Sequence, residues 1–138
     1  MQTLKPEDRT LTELDHVRIT KLMQRLPVEP ATGDCLETLL EGAELVPSRQ
    51  VSPDVVTMYS QVLLRDLATD EQRTVTLCYP DDADPAAGFV SVLSPIGIAL
   101  LGARVGGVVD WMPPGGRRVQ VEVLALLFQP EASGDYTL

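Results

Sequence analysis

Asp81, Asp82 and Asp84 place three hard oxygen donors within four positions. Such carboxylates suit Ca²⁺ or Mg²⁺, but no fourth carboxylate stands nearby and the spacing is not that of a calcium loop, so a solvated hairpin loop is expected. Gly115-Gly116-Arg117-Arg118 has the glycines and cations of a phosphate cradle. It lacks the strand, glycine loop and helix order that such a cradle needs, and a hairpin turn with an exposed basic end fits better. His16 is the sole histidine and lies at the margin of an apolar helical stripe, where no nucleophile and base can be assembled around it. Cys35 and Cys78 are far apart and lack a second pair of ligands, which argues against zinc and against a disulfide framework. Two free thiols are expected, Cys35 on a helix and Cys78 in a strand. These residues point to no catalytic set, no metal and no cofactor, and a non-enzymatic role is expected.

The 138 residues carry a formal net charge of −9. Non-specific affinity for nucleic acid comes mainly from Lys and Arg neutralising phosphates, so autonomous duplex binding and direct sequence-specific nucleic-acid binding are not expected. No apolar run approaches membrane-spanning length, and the beginning of the chain, with Lys5, Glu7, Asp8 and Arg9, lacks a signal-peptide core. A cytoplasmic protein without a membrane partner is expected.

The elements that must position any site fall into two groups. Residues 10–26 read as a helix, with Thr10 and Glu13 at capping-box spacing and Leu11, Leu14, Ile19, Leu22, Met23 and Leu26 on one side. Val17 falls off that stripe. Pro27 and Pro30 stop the helix, and a second starts at Gly33-Asp34, with Asp34 and Glu37 at the same capping spacing and Leu36, Leu39, Leu40 and Ala43 on one face. Two amphipathic helices, each about 20 Å long, with a short connection predict an antiparallel hairpin over residues 1–50. Pro47 closes it, and residues 48–53 read as a linker.

Beyond the linker the period changes from helical to alternating. Val56, Met58, Val62 and Leu64 alternate with polar neighbours except at Ser60, and Val75, Leu77 and Tyr79 alternate with Thr74, Thr76 and Cys78. Further strands are predicted at 88–93, 107–112 and 117–128. Between them, Ser94 can cap a short helix whose first residue is Pro95, with Ile96, Ala99 and Leu100 on one face. Five strands and one helix make residues 51–138 an α+β domain with an antiparallel sheet wrapped on the helix.

The segment from Phe89 to Gly102, a strand breaking at Ser94-Pro95 into an apolar helix, resembles the C-terminal domain of the Gre transcript-cleavage factors. Asp54-Val55-Val56-Thr57-Met58, Arg104-Val105-Gly106, Pro114-Gly115-Gly116, Val121-Glu122-Val123-Leu124 and the closing run from Gln129 to Tyr136 follow in the family's order. The series is more similar still to the Rnk proteins, regulators of nucleoside diphosphate kinase built like Gre factors with a shortened arm. The resemblance covers residues 51–138 in detail and residues 1–50 in layout.

This resemblance implies an FKBP-like C-terminal domain carried beside a short coiled-coil arm. It implies RNA polymerase as partner, with Leu93, Ser94, Pro95 and Ile96 in the docking turn. Where Gre factors commonly carry Asp or Asn before Ser-Pro, this chain has Leu93, which places an apolar side chain beside Pro95 and Ile96. Gre factors bring paired acids at the arm tip to a second Mg²⁺ in the polymerase, and here the tip offers only Glu29 and Asp34. A monomeric regulator is implied, which docks near the secondary channel, competes with Gre factors and does not stimulate cleavage. The alternatives are control of nucleoside diphosphate kinase through direct contact and, from the fold alone, prolyl isomerisation. For the latter, Tyr59, Tyr79, Phe89, Trp111, Phe128 and Tyr136 are too scattered to suggest an aromatic pocket.

Overall fold

The computed structural model describes residues 3–113 and 115–136; Pro114 of the Pro-Gly-Gly series lies outside them. Strand β1 (Thr10–Thr12) runs straight into helix α1 (Glu13–Arg25). The cap is Thr12, whose hydroxyl accepts from the Asp15 amide at 3.0 Å, and not Thr10, which belongs to the strand. Glu13 and Asp15 in the first turn and Arg25 in the last complement the helix dipole.

Helix α2 (Pro30–Gly42) starts earlier than its sequence pattern suggests. Pro30 stands at its first position, where a missing N–H costs nothing, so the proline that ends one helical pattern also begins the next. Asp34 is therefore inside α2, and the position before the helix is taken by Glu29. Strand β2 (Glu44–Val46) follows and pairs in parallel with β1.

The apolar stripes of α1 and α2 are not reserved for each other. α1 packs on β1 and β2, whereas α2 packs on the turn Pro6–Asp8 and on the later helix α3 (Pro95–Leu100). A hydrogen bond links the two helices directly, from His16 Nε2 to the Leu40 carbonyl at 3.2 Å.

The main sheet contains β3 (Gln61–Asp66), β4 (Gln72–Cys78), β5 (Phe89–Ser91), β6 (Val108–Trp111) and β7 (Val119–Phe128), in the order β5-β4-β3-β7-β6. Its pairs are antiparallel except β4 with β5. The loop with Asp81, Asp82 and Asp84 is accordingly a crossover between parallel strands, not a hairpin tip. It is shortened by two 3-10 turns, Pro80–Asp82 and Pro85–Ala87.

The alternating run 56–65 is one strand only from Gln61 onward. At Ser60, where alternation fails, the chain turns: the Ser60 amide donates to the Thr57 carbonyl and Tyr59 has φ 64°. Residues 54–57 pair instead with the segment after α3, with the Val56 amide on the Ala103 carbonyl at 2.7 Å. The register of β7 on β3 slips twice, which sets residues 121–128 of β7 opposite Gln61–Asp66.

One apolar cluster holds all of this together. Leu11 from β1 and Ile19, Leu22, Leu36, Leu39 and Leu40 from α1 and α2 belong to the same core as Val56, Met58, Val62, Leu64, Leu77, Leu100 and Val123. The α+β class is as the sequence indicates, with three helices among the described residues.

Candidate functional site

Ser91 and Ser94 build the turn that presents α3. The Ser94 hydroxyl accepts from the Gly97 amide at 3.1 Å and donates to the Ser91 carbonyl at 2.6 Å. The Ser91 hydroxyl accepts from the Leu93 amide at 3.0 Å. Every hydroxyl here is used to shape backbone, so the turn is preset before any partner arrives. Pro95 at the first helical position is exposed, whereas Leu93, Ser94 and Ile96 are half-buried. Leu93 and Ile96 lean on the core, which leaves Pro95 as the most accessible side chain of the four.

Two residues absent from the sequence-based expectation fix α3 in place. A Cβ built on Gly97 would lie 1.9 Å from the Ser91 carbonyl oxygen, so the helix sits against β5 at a distance only glycine permits. Arg9 is 7% exposed and donates from Nη1 to the Ala99 carbonyl at 2.5 Å and to the Leu101 carbonyl at 3.0 Å. It thereby satisfies carbonyls at the end of α3. Burial lowers its pKa to about 10, partly offset by Asp110 and Asp8, and it stays charged at neutral pH. No signal in the sequence separates Arg9 from its charged neighbours. Gly97, likewise, reads locally as any helix-weakening glycine.

The residues expected at the arm tip are split by the fold. Glu29 lines a groove of about 560 Å³ between α2 and α3, together with Ala31, Cys35, Pro95, Ile98 and Met112. Met112 is 64% exposed at its rim. Glu29 and Pro95 thus border one concavity. Asp34 lies on an exposed part of α2, five positions past Glu29 and about 140° around the helix at 100° per residue. Glu29 at the cap and Asp34 inside the helix thus stand on different sides of the start of α2.

The remaining candidates are placed as follows. Asp81, Asp82 and Asp84 are exposed, with Asp82 accepting a hydrogen bond from the Tyr59 hydroxyl. No group of three acidic, histidine or cysteine side chains is arranged to hold a metal among the described residues. Gly115 to Arg118 form the β6–β7 connection, and Arg118 pairs with Asp110. Cys35 is exposed and Cys78 buried, both as free thiols. Tyr59 and Tyr79 pack on each other at 5.8 Å, while Phe89 and Phe128 are exposed on β5 and β7. Among the described residues, no helix is long and apolar enough to cross a membrane.

The turn at Ser94 and the strands around it fall inside a recognisable unit. The family model described as "Transcription elongation factor, GreA/GreB, C-term" matches residues 50–127. The chain belongs to the GreA/GreB family. A relative from Escherichia coli K12 named "Regulator of nucleoside diphosphate kinase" is 40% identical over 133 residues, covering 93% of this chain and 95% of the relative. The resemblance to Rnk proteins is thus met over nearly the full length. A GreA from Chloroherpeton thalassium is 40% identical over 81 residues, but these are 59% of this chain and only 51% of that GreA. Among solved structures, a GreA/GreB elongation factor from Nitrosomonas europaea superposes with a TM-score of 0.72 at 35% identity, covering 87% of this chain and 98% of that one. The GreA/GreB family fold therefore extends into the N-terminal helices.

Proposed function

We propose that this chain is a non-catalytic regulator that binds RNA polymerase through Leu93, Ser94, Pro95 and Ile96, competes there with Gre factors and does not stimulate transcript cleavage. The observation that carries this reading is the preset Ser94 turn with Pro95 exposed, inside the segment that the family model matches. The division of labour is between residues 51–138 as an FKBP-like docking domain and residues 1–50 as a helical hairpin serving as a shortened arm. Glu29 bordering the same groove as Pro95 supports an arm folded beside the docking turn, without reach to a distant metal. The divergent Glu29 and Asp34 support the absence of cleavage.

A pull-down of purified core RNA polymerase, with a Gre factor as competitor, tests the proposal. Pro95→Asp is the informative variant, because Asp at a first helical position favours the helix and Pro95 is exposed, so folding is left intact. The wild-type chain is expected to bind and to be displaced by the Gre factor, and Pro95→Asp to bind at least tenfold more weakly with an unchanged unfolding curve. Backtracked complexes with Mg²⁺ are expected to show no added cleavage. Full binding by the folded variant overturns the placement of the site.

A second reading has its own support in the 40% identity to a protein named for control of nucleoside diphosphate kinase. Direct contact with the kinase predicts co-purification of the two pure proteins in the absence of polymerase.

A further inference from the structure

We propose that Asp15 and Glu131 form a proton-sensitive latch holding α1 onto the C-terminal half of the chain. Asp15 is 1% exposed, and its Oδ2 accepts from the Met58 amide at 3.1 Å, reaching across 43 positions of sequence. Glu131, 9% exposed in the 3-10 turn Glu131–Ser133, accepts from the Thr57 hydroxyl at 2.7 Å. Thr57 and Met58 are adjacent, so two carboxylates from opposite ends of the chain are held on one two-residue segment. The Gln129 amide group anchors the same end, donating to the Ser52 and Val55 carbonyls at 2.9 and 2.7 Å.

The geometry assigns a place for the proton. Asp15 Oδ2 is occupied by Met58, while Oδ1 is buried and makes no hydrogen bond among the described residues. A proton on Oδ1 removes the charge from a site that water does not reach and leaves the Met58 contact intact. The groups that bear on Asp15 are Glu131 from the C-terminal turn, Arg18 and Thr12 from its own side, and Tyr79 beyond β4. Burial pushes the carboxyl up from 3.8 to about 6, the Met58 hydrogen bond opposes that rise, and Glu131 adds to it.

The sign follows from linkage. With α1 closed, Asp15 holds its proton up to about pH 6; with α1 detached and hydrated, it releases it near 3.8. The closed form therefore binds the extra proton between these values, and closure weakens as pH rises through the window. Opening of α1 carries with it the connection 26–29 and hence the Glu29 side of the α2–α3 groove.

Hydrogen exchange of the Met58 amide in the full chain, corrected for the intrinsic rate, reads the latch. The opening equilibrium is expected to rise on the order of 100-fold between about pH 4 and about pH 7. Asp15→Asn keeps an oxygen for the Met58 amide and carries no charge, so its protection is expected to vary less than about threefold over that range. Glu131→Gln retains the Thr57 contact and is expected to move the rise to lower pH. Flat Met58 protection in the wild type, or an undiminished rise in Asp15→Asn, overturns the proposal. Should Asp15→Asn not fold, the wild-type profile and the Glu131→Gln shift decide it.

Discussion

At the scale of single residues, the turn at Ser94 is an example of backbone shaped by hydroxyls and then locked by the absence of a side chain. Ser94 and Pro95 were legible because capping and first-position proline are local effects written in adjacent residues. Gly97 was not, because its requirement arises from the Ser91 carbonyl, six positions back and brought near by the turn itself. Gly97→Ala has to move either α3 or the end of β5, and no flexible side chain is available to yield. A loss of about 3 kcal/mol or more is expected in urea unfolding, against about 1–2 kcal/mol for Ser94→Ala, which removes the cap and the hydrogen bond to the Ser91 carbonyl. Equal losses in the two variants would mean that the close approach carries no constraint. Asp15, by contrast, left a trace in the sequence: it stands four positions after Leu11 and four before Ile19, a charge inside an apolar stripe. Its partner Glu131 left none.

At the scale of elements, the helical and alternating periods located the secondary structure, while boundaries failed where one residue type serves two purposes. Pro30 was legible as a helix stop, yet it starts α2, because proline is excluded from a helix interior and accepted at its first position. The apolar set Val56, Met58, Val62 and Leu64 is fully buried as alternation implies. Its first half is nonetheless not in a sheet strand, since alternation reports which side faces the core and not which chain supplies the hydrogen bonds. The parallel pairing of β5 was likewise hidden, because a ten-residue acidic connection looks like a long hairpin loop. The displaced caps give a direct comparison. Thr12→Ala removes the acceptor for the buried Asp15 amide and is expected to cost about 1 kcal/mol. Asp34→Ala, on an exposed part of the α2 interior, is expected to stay within about 0.5 kcal/mol. A larger loss at Asp34 than at Thr12, measured by urea unfolding, would restore the helix starts that the capping spacing suggests.

At the scale of the whole molecule, the boundary near residue 51 is a boundary of resemblance and of period, and the packing crosses it. Leu11, Ile19, Leu22, Leu36, Leu39 and Leu40 share one cluster with the sheet. Arg9 satisfies the Ala99 and Leu101 carbonyls, and Asp15 satisfies the Met58 amide. A fragment beginning at Ser52 retains β3 to β7 and α3, hence most of a core of its own. It loses the cover on that core and exposes buried polar groups to a new surface. Its water-accessible carbonyls and amide can be hydrated, but the apolar side chains that faced α1 and α2 cannot be compensated. The fragment is therefore expected to unfold cooperatively at a clearly lower urea midpoint than the full chain, with a smaller m-value from the smaller surface exposed. The full chain is expected to show one transition, followed identically by far-ultraviolet circular dichroism and by the fluorescence of Trp111 on β6. Two separated transitions in the full chain, or an unchanged midpoint for the fragment, would show that the shared cluster does not couple the halves, and that residues 1–50 are an appendage and not a structural part of the domain that follows.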